Sequence, residues 1–128
     1  MFEVLDWAPP ASYCTAGTSL NGCSAQLSAS GLASASAASG FVVSASGVDG
    51  ARNGLLYYGL SGPLATPFVA GSSSYRCVAA PYQRTLLLSS NGASGACNGS
   101  FALDWNAYRA ANPFALGSPF QGGESVWI

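Results

Sequence analysis

The residues of this chain best suited to chemistry are four cysteines, which fall into two pairs at short spacing. Cys14 is followed by Cys23, and Cys77 is followed by Cys97. Paired cysteines in a small chain are typical of disulfides made in an oxidising compartment. Zinc is the alternative, but structural zinc sites bring their ligands in Cys-x2–4-Cys pairs, which neither spacing matches. The sequence therefore predicts disulfides and no metal site.

Four cysteines can pair in three ways. We predict the local pairing, Cys14 with Cys23 and Cys77 with Cys97, because each pair bounds a segment that resembles a hairpin. Residues 15–22 are rich in turn formers, and residues 84–96 read as a strand followed by a turn. Loops of this size correspond to a stabilisation of roughly 2.5 to 3.5 kcal/mol for each disulfide in the chain-entropy treatment.

The chain has no histidine and no lysine, so the usual general bases and nucleophile activators are missing. A glycosidase-like carboxylate pair would have to come from Asp49, Asp104 and Glu124. The simpler interpretation is that Asp49 belongs to a turn and that Asp104 caps a bend or pairs with an arginine. We therefore predict a protein that is not an enzyme and that uses no cofactor.

Charge is scarce throughout the sequence. Charged residues make up 7% of the 128 residues and the net charge is −1. Without a basic patch, nucleic acid is not an expected partner. A nearly neutral surface opposes association only weakly. No apolar run is long enough for a membrane-spanning helix, and no signal peptide is visible, so we expect a mature or excised segment without membrane insertion.

Turn dipeptides such as Asn53-Gly54 and Asn91-Gly92 recur between short apolar or alternating runs. This pattern predicts an all-β, sandwich-like (immunoglobulin-like) domain of short antiparallel strands at residues 11–128, preceded by an N-terminal strand or extension at residues 1–10. Candidate strands cover residues 2–7, 24–30, 41–46, 55–58, 75–78, 84–88, 100–105 and 126–128. Residues 32–39 are ambiguous. Residues 104–111 could form a short helix with Asp104 as its N-cap, but we favour a strand to Trp105 followed by an irregular turn. Residues 112–125 read as a surface loop.

Aromatic side chains could form a sugar-stacking platform, although most are expected in the core of a β-sandwich. Phe114 and Phe120 lie on the predicted loop and are the better candidates for ligand contacts. The remaining aromatic candidates are Tyr57, Tyr58, Phe68, Tyr75, Tyr82, Trp105, Tyr108 and Trp127.

An ordered set of motifs resembles a known family. The motifs are Tyr-Cys-Thr-Ala-x5-Gly-Cys at residues 13–23, Ser-Gly-Phe-x-Val at 39–43, Asn-Gly-Leu-x-Tyr-Tyr-Gly at 53–59, Cys-Val-x-x-Pro-x-x-Arg at 77–84 and Cys-x-Gly-x-Phe-x-x-Asp-x-Asn at 97–106. Over residues 13–128 the chain resembles the β-rich module near the C-terminus of large secreted or surface proteins of environmental bacteria. The resemblance implies an extracellular or cell-surface location and a β-rich fold, and it implies no biochemical activity.

In the resembled family the last strand runs on to a closing strand, whereas this chain stops at Ile128. The sandwich is therefore expected to lack one strand. Residues 2–7 loosely resemble the closing strand, and we predict that Phe2, Val4, Leu5 and Trp7 form a donor strand for assembly. An incomplete sheet is a template for strand addition, and head-to-tail donation gives an open filament. The rival arrangement is closure of the same sheet within one chain.

These observations predict a non-enzymatic extracellular structural or adhesive module that self-assembles by strand donation. The expected partner is another copy or a neighbouring surface protein. The alternative is a carbohydrate-binding module with a glycan as its ligand.

Overall fold

The computed structural model describes residues 10–128 in full and the backbone alone of residues 2–4. In these residues it contains twelve β-strands and one α-helix. They are β1 (Phe2–Val4), β2 (Ala11–Ser12), β3 (Gln26–Gly31), β4 (Phe41–Val48), β5 (Asn53–Gly54), β6 (Tyr57–Gly59), β7 (Pro63–Pro67), β8 (Tyr75–Val78), β9 (Tyr82–Arg84), β10 (Leu88–Ser89), β11 (Gly99–Asp104), α1 (Trp105–Ala111) and β12 (Val126–Trp127).

The strands form small antiparallel sheets. A five-stranded sheet has the order β2-β1-β12-β6-β9, and a three-stranded sheet has the order β11-β4-β3. Strands β10 and β5 form one two-stranded sheet, and β7 and β8 form another. The predicted all-β, sandwich-like class of short antiparallel strands is confirmed by this architecture.

The three-stranded sheet follows the predicted alternation. In β4, Phe41, Val43 and Ala45 are buried, while the residues between them are less buried or exposed. Leu103 of β11 is opposite Val43 and shares its buried face. Because successive side chains of a strand point to opposite faces, one face of this sheet is apolar and packs on the core.

The helix corrects one prediction. We expected a strand through Trp105 and an irregular turn after it, but β11 ends at Asp104 and α1 begins at Trp105. Trp105 and Tyr108, three residues apart on one helix face, are both buried in the core. The alternation of Phe101, Leu103 and Trp105 continues the period of the strand into the first helical residue, which explains the wrong prediction.

Tyr58 of β6 lies at the centre of the core and has no exposed surface. Its ring meets that of Trp105 edge-on, with centroids 4.7 Å apart and planes at 82°. Its hydroxyl donates a hydrogen bond of 2.7 Å to the carbonyl oxygen of Leu116, and burial raises the pKa of the phenol above its usual range. The core thereby anchors the segment 112–125, which contains no helix or strand, as predicted for a loop.

The ambiguous segment 32–39 is neither helix nor strand, and Asn106 holds it in place. Asn106 is only 1% exposed. Its Nδ2 donates to the carbonyl oxygens of Leu32 at 3.0 Å and Ser39 at 3.1 Å, and its Oδ1 accepts from the backbone N–H of Ser34 at 3.0 Å. A buried amide with all of these partners satisfied fixes a loop that lacks regular backbone pairing.

The disulfide pairing differs from the prediction. Cys14 is bonded to Cys77 and Cys23 to Cys97, so the local pairing is wrong. The short loop after Cys14 is closed by hydrogen bonds instead, since residues 18 and 24 form an antiparallel bridge and the backbone N–H of Ser19 donates to the carbonyl oxygen of Cys23 at 2.8 Å. No cross-link is needed to close that turn.

Sheet topology explains where Cys23 finds its partner. Strands β3 and β11 flank β4 and both run antiparallel to it, so they begin at the same end of the sheet. Cys23 precedes β3 and Cys97 precedes β11, and their Cα atoms are 5.3 Å apart. The two disulfides span 63 and 74 residues. Loops of that length correspond to about 4 kcal/mol each in the chain-entropy treatment.

The predicted N-terminal strand is β1, and it pairs within its own chain. Glu3 is opposite Trp127 and Val4 is opposite Val126 of β12, while β2 pairs on the other side of β1. Of the residues predicted to assemble, Phe2 and Val4 lie in β1, whereas Leu5 and Trp7 lie outside the described residues.

Two disulfides in a small domain are typical of an oxidising, extracellular environment. Among the described residues, α1 is the only helix and is far too short to cross a membrane.

We predict that a non-reduced tryptic digest will separate the two pairing schemes. Arginine is the only tryptic residue type here, and cleavage after it puts Cys14 and Cys23 in one peptide and Cys77 and Cys97 in two others. The observed pairing links all three peptides into one species. The local pairing would leave the peptide 1–52 unlinked, and its detection by mass spectrometry would contradict the structure.

A second cleavage tests the individual bonds. Leu20 lies between Cys14 and Cys23 and is fully exposed, so chymotrypsin should cut after it. The fragment that carries Cys14 should then remain attached only to the fragment that carries Cys77, whether or not chymotrypsin also cuts after Tyr82. Attachment to the peptide of Cys97 would show the third pairing.

Candidate functional site

The three candidate carboxylates lie in separate places and each is hydrogen-bonded. Asp49 accepts from the side-chain Nδ2 of Asn21, and Glu124 accepts from the backbone N–H of Gln121 at 2.6 Å. Asp104 caps α1. Glu124 lines one cavity and Asp49 lines another, and neither of these cavities includes a second of the three carboxylates. The arrangement does not form the opposed carboxylate pair that glycoside hydrolysis requires.

Hydrogen bonding favours the ionised forms of two of these groups. The pKa of Asp49 is lowered by hydrogen bonds from Ser19 and then Asn21, with a smaller contribution from the charge of Arg52 against desolvation. The pKa of Asp104 is lowered by backbone N–H groups, Gly40 first and Ala107 second. A general acid needs the opposite shift at neutral pH, so these two carboxylates are suited to structural roles.

The two loop aromatics have different environments. Phe114 is 99% exposed and borders a shallow cleft with Gln83 and Tyr108. Phe120 packs against the core, where its ring meets Trp105 at 5.6 Å between centroids and 72° between planes. Phe120 is thus half-buried, with one side against the core and a lining position in a small cavity beside Arg109 and Glu124, and its role as a ligand contact stays a prediction.

A second group of aromatic residues forms a groove on the outer face of the five-stranded sheet. Tyr57 is opposite Arg84, and Gly59 is opposite Tyr82, so these positions share one face of β6 and β9. Tyr58, between Tyr57 and Gly59, points to the opposite face and enters the core. The groove face is thus directed away from the core.

The groove has a volume of about 310 Å³. It is lined by Leu55, Tyr57, Phe68, Arg76, Tyr82 and Arg84. This size is at the lower end of the range of about 300–1,000 Å³ that is usual for ligand sites.

Its walls are positioned by close packing and by a disulfide. A Cβ atom at Gly59 would lie 2.6 Å from Cγ1 of Val78 and 2.9 Å from the carbonyl oxygen of Ala79, so only glycine lets the end of β8 approach β6 this closely. Cys77, next to Arg76, is bonded to Cys14. Strand β8 is therefore fixed beside the groove from two sides.

The aromatic rings in the groove are partly open to solvent. Phe68 is 56% exposed and Tyr82 is 43% exposed. The rings of Tyr57 and Tyr82 have centroids 5.6 Å apart and planes at 60°, so they form an angled surface and do not stack on each other. Burial raises the pKa of the Tyr57 phenol, and a backbone hydrogen bond with Cys77 and the charge of Arg76 oppose this only in part.

The charge in the groove is entirely positive among the residues that the structure describes. Arg76 and Arg84 line it, and no acidic residue does. Neither guanidinium forms a hydrogen bond or a salt bridge with another residue of the range 10–128. By contrast, Nη2 of Arg109 donates to the carbonyl oxygen of Ala37 at 2.7 Å and is occupied in holding a loop.

Sequence reasoning found the aromatic members of this groove but not its arginines. Tyr57, Phe68 and Tyr82 are among the candidate platform residues in the sequence, whereas nothing in the sequence analysis singles out Arg76 and Arg84 as ligand contacts. A usable signal was present, because in Tyr82-x-Arg84 the two side chains share one face of any strand. The register between β6 and β9 brings Tyr82 and Arg84 beside Tyr57, and this register cannot be read from the sequence.

Comparison with known proteins gives no match to a family model, to a curated protein or to a solved structure. The resemblance to the C-terminal module of bacterial surface proteins therefore stays a prediction. Among the described residues no group of three or more potential ligands could hold a metal ion.

Replacement of Asp104 by Asn tests the electrostatic part of the helix cap. A carboxyl whose pKa is lower in the folded than in the unfolded chain stabilises the fold above its unfolded value and loses that contribution as the pH falls through the folded value. The pKa of Asp104 is lowered from an ordinary value of 3.8. We therefore expect wild type to be more stable than Asp104→Asn at pH 7, with a gap that shrinks below about pH 4.

Urea unfolding at several pH values between 7 and 2.5 measures this gap, and all other titrating groups cancel because both proteins share them. Asp104→Ala should cost about 1 kcal/mol at pH 7, since it also removes the capping acceptor. A gap that stays constant down to pH 2.5 would show that the charge of Asp104 contributes nothing to stability.

Proposed function

We propose that this domain is a non-enzymatic structural and adhesive module of the extracellular space, located at the cell surface, that joins further copies through β1. Its two disulfides suit an oxidising environment. Its charged residues are few, and the carboxylates Asp49, Asp104 and Glu124 serve as hydrogen-bond acceptors for nearby loops and the helix cap. These features support a scaffold more than a catalyst.

The observation that carries the assembly proposal is the weak backbone pairing around β12. Strand β1 pairs with β12 through two residue pairs, and β12 pairs with β6 through one, Trp127 opposite Gly59. Yet Val126 and Ile128 are 3% and 1% exposed and belong to the core. Because β1 is joined to β12 by so few ladder pairs, the same strand of another copy can take its place in the same backbone register.

Exchange of β1 between copies uses the same β1–β12 register as closure within one chain. If each copy gives β1 to the next, the contact is heterologous and produces an open filament. If two copies exchange reciprocally, the product is a closed dimer. The low net charge of −1 adds little repulsion to either assembly.

A carbohydrate-binding module is the second candidate function, and the aromatic groove favours it. Tyr57, Phe68 and Tyr82 give an angled, partly exposed aromatic surface. Ligand sites of this kind combine apolar and aromatic walls with a few polar groups, which Arg76 and Arg84 supply here.

We predict that a cysteine pair at residues 3 and 127 will report strand exchange. Glu3 and Trp127 are direct partners in the antiparallel register, where Cα distances of about 4.5–5.5 Å suit a disulfide. Mild oxidation of Glu3→Cys/Trp127→Cys at high concentration should give covalent multimers on non-reducing gels if β1 is exchanged. The single variant Glu3→Cys controls for random cross-linking and for reshuffling with the native cysteines.

Deletion of residues 1–8 provides the second measurement. Light scattering and electron microscopy of the concentrated protein should show assembly that the deletion abolishes, while circular dichroism shows that the remainder stays folded. Assembly that survives the deletion, a protein that remains monomeric at high concentration, or cross-linking that is purely intramolecular would overturn the exchange of β1.

A further inference from the structure

The groove on β6, β8 and β9 combines two features that select a ligand together. Its aromatic surface is formed by Tyr57, Tyr82 and Phe68, and its charge by Arg76 and Arg84. The two guanidinium groups are half of the four cationic side chains in the whole sequence. In a chain with so little charge, their convergence on one apolar groove without an acidic neighbour among the described residues marks a place for an anion.

We propose that this groove binds an acidic glycan through a uronic acid residue. The proposal rests on the second function above, glycan binding, and specifies its ligand class. The C–H face of a pyranose ring packs against the electron-rich face of an aromatic ring, which Tyr82 and Phe68 offer to solvent. The carboxylate of the same sugar then pairs with Arg76 or Arg84, since a guanidinium matches the planar geometry of a carboxylate.

The position of the groove on a face of the sheet, and not at a strand edge, favours a sugar over a peptide as its ligand. Peptides that join β-proteins commonly add along a strand edge through main-chain hydrogen bonds. Here the available groups are side chains on the face of β6 and β9, because Tyr57 and Arg84 are opposite partners within the ladder. Recognition at this face relies on ring packing and charge, which an acidic sugar provides in a single residue.

Nucleic acid matches the two positive charges of the groove less well than an acidic glycan does. The affinity of a protein for nucleic acid depends on neutralising many phosphates along a backbone. The groove supplies two cations, and Arg52 and Arg109 do not line it. A short anionic segment of one or two sugar residues matches both the number of charges and the volume of about 310 Å³.

The test is a titration of the isotope-labelled wild-type protein with tetragalacturonate, followed by NMR chemical shifts and calorimetry. The matched ligand is the same tetrasaccharide with its carboxyl groups reduced to alcohols, and hexaglutamate represents an acidic peptide. We expect shifts at the backbone amides of residues 55–59 and 76–84 with tetragalacturonate only. Because the interaction is between partly exposed charges, its affinity should fall as NaCl is raised from about 50 to 500 mM.

Variants assign the contacts. Arg76→Gln and Arg84→Gln should each weaken binding of tetragalacturonate about tenfold, the usual effect of losing one charge-assisted hydrogen bond. Arg52→Gln is the control, because it removes the same charge from an exposed side chain outside the groove lining and keeps its backbone hydrogen bonds to Ser90. Tyr82→Ala should also weaken binding. Thermal unfolding of each variant verifies that the fold is retained.

The outcomes are distinct. Equal binding of the reduced tetrasaccharide, lost in Tyr82→Ala, would overturn acid selectivity and leave glycan binding in place. Absence of binding to either sugar would overturn the inference and would remove the groove as support for a glycan-binding function, with no bearing on the exchange of β1. Equal or tighter binding of hexaglutamate, or an equal loss in Arg52→Gln, would also overturn the inference.

Discussion

Cys14–Cys77 and Cys23–Cys97 each join segments that are more than sixty residues apart. Many strands of this domain are only two or three residues long, and two of its sheets contain only two strands in the described residues. Isolated two-stranded pairings are marginally stable in water. The cross-links reduce the entropy of the unfolded chain and hold short strands at positions that backbone pairing alone would secure poorly. The groove and the pairing of β1 both depend on strands of this kind.

The predictable part of the fold consists of the strands in which apolar and polar or small residues alternate regularly. In β3, β4 and β11 the apolar residues alternate with serines and small residues, and that pattern is typical of a half-buried strand whatever its neighbours are. The surface loop at residues 112–125 was likewise evident from its prolines and glycines. The packing of Phe120 against the core was not evident, because the sequence places a residue on a loop but does not show whether the loop folds back onto the core.

The disulfide pairing and the choice between helix and strand after Asp104 depend on contacts between distant parts of the chain. Spacing along the chain favoured the local loop of Cys14 and Cys23, but the actual partners follow from β3 and β11 starting at the same end of the sheet. The start of α1 depends on Asp104, whose two carboxylate oxygens accept from Gly40 and Ala107. Gly40 lies 64 residues away in sequence. The cysteine partners and the contact of Asp104 with Gly40 are long-range and leave no local signal. The capping bond to Ala107 is local, and it is the signal behind the helix that the sequence offers as the alternative to a strand.

Strand β1, which we propose is exchanged between copies, lies in the same five-stranded sheet as the strands β6 and β9 that form one wall of the groove. The order of this sheet places β1 beside β12, β12 beside β6, and β6 beside β9. Strand β6 carries Tyr57 on its groove face and Tyr58 on its core face, and it meets β12 through Gly59. Strand β1 pairs with β12, and β12 pairs with β6, which carries Tyr57. Pairing by β1 therefore supports the backbone of the groove, whether β1 comes from the same chain or from another copy. A filament formed by exchange of β1 would repeat the groove once for each subunit, so that weak sites for an acidic glycan act together along one polymer. Under these two proposals, adhesion to an extended anionic polysaccharide would result from many low-affinity contacts, each made by a groove of about 310 Å³.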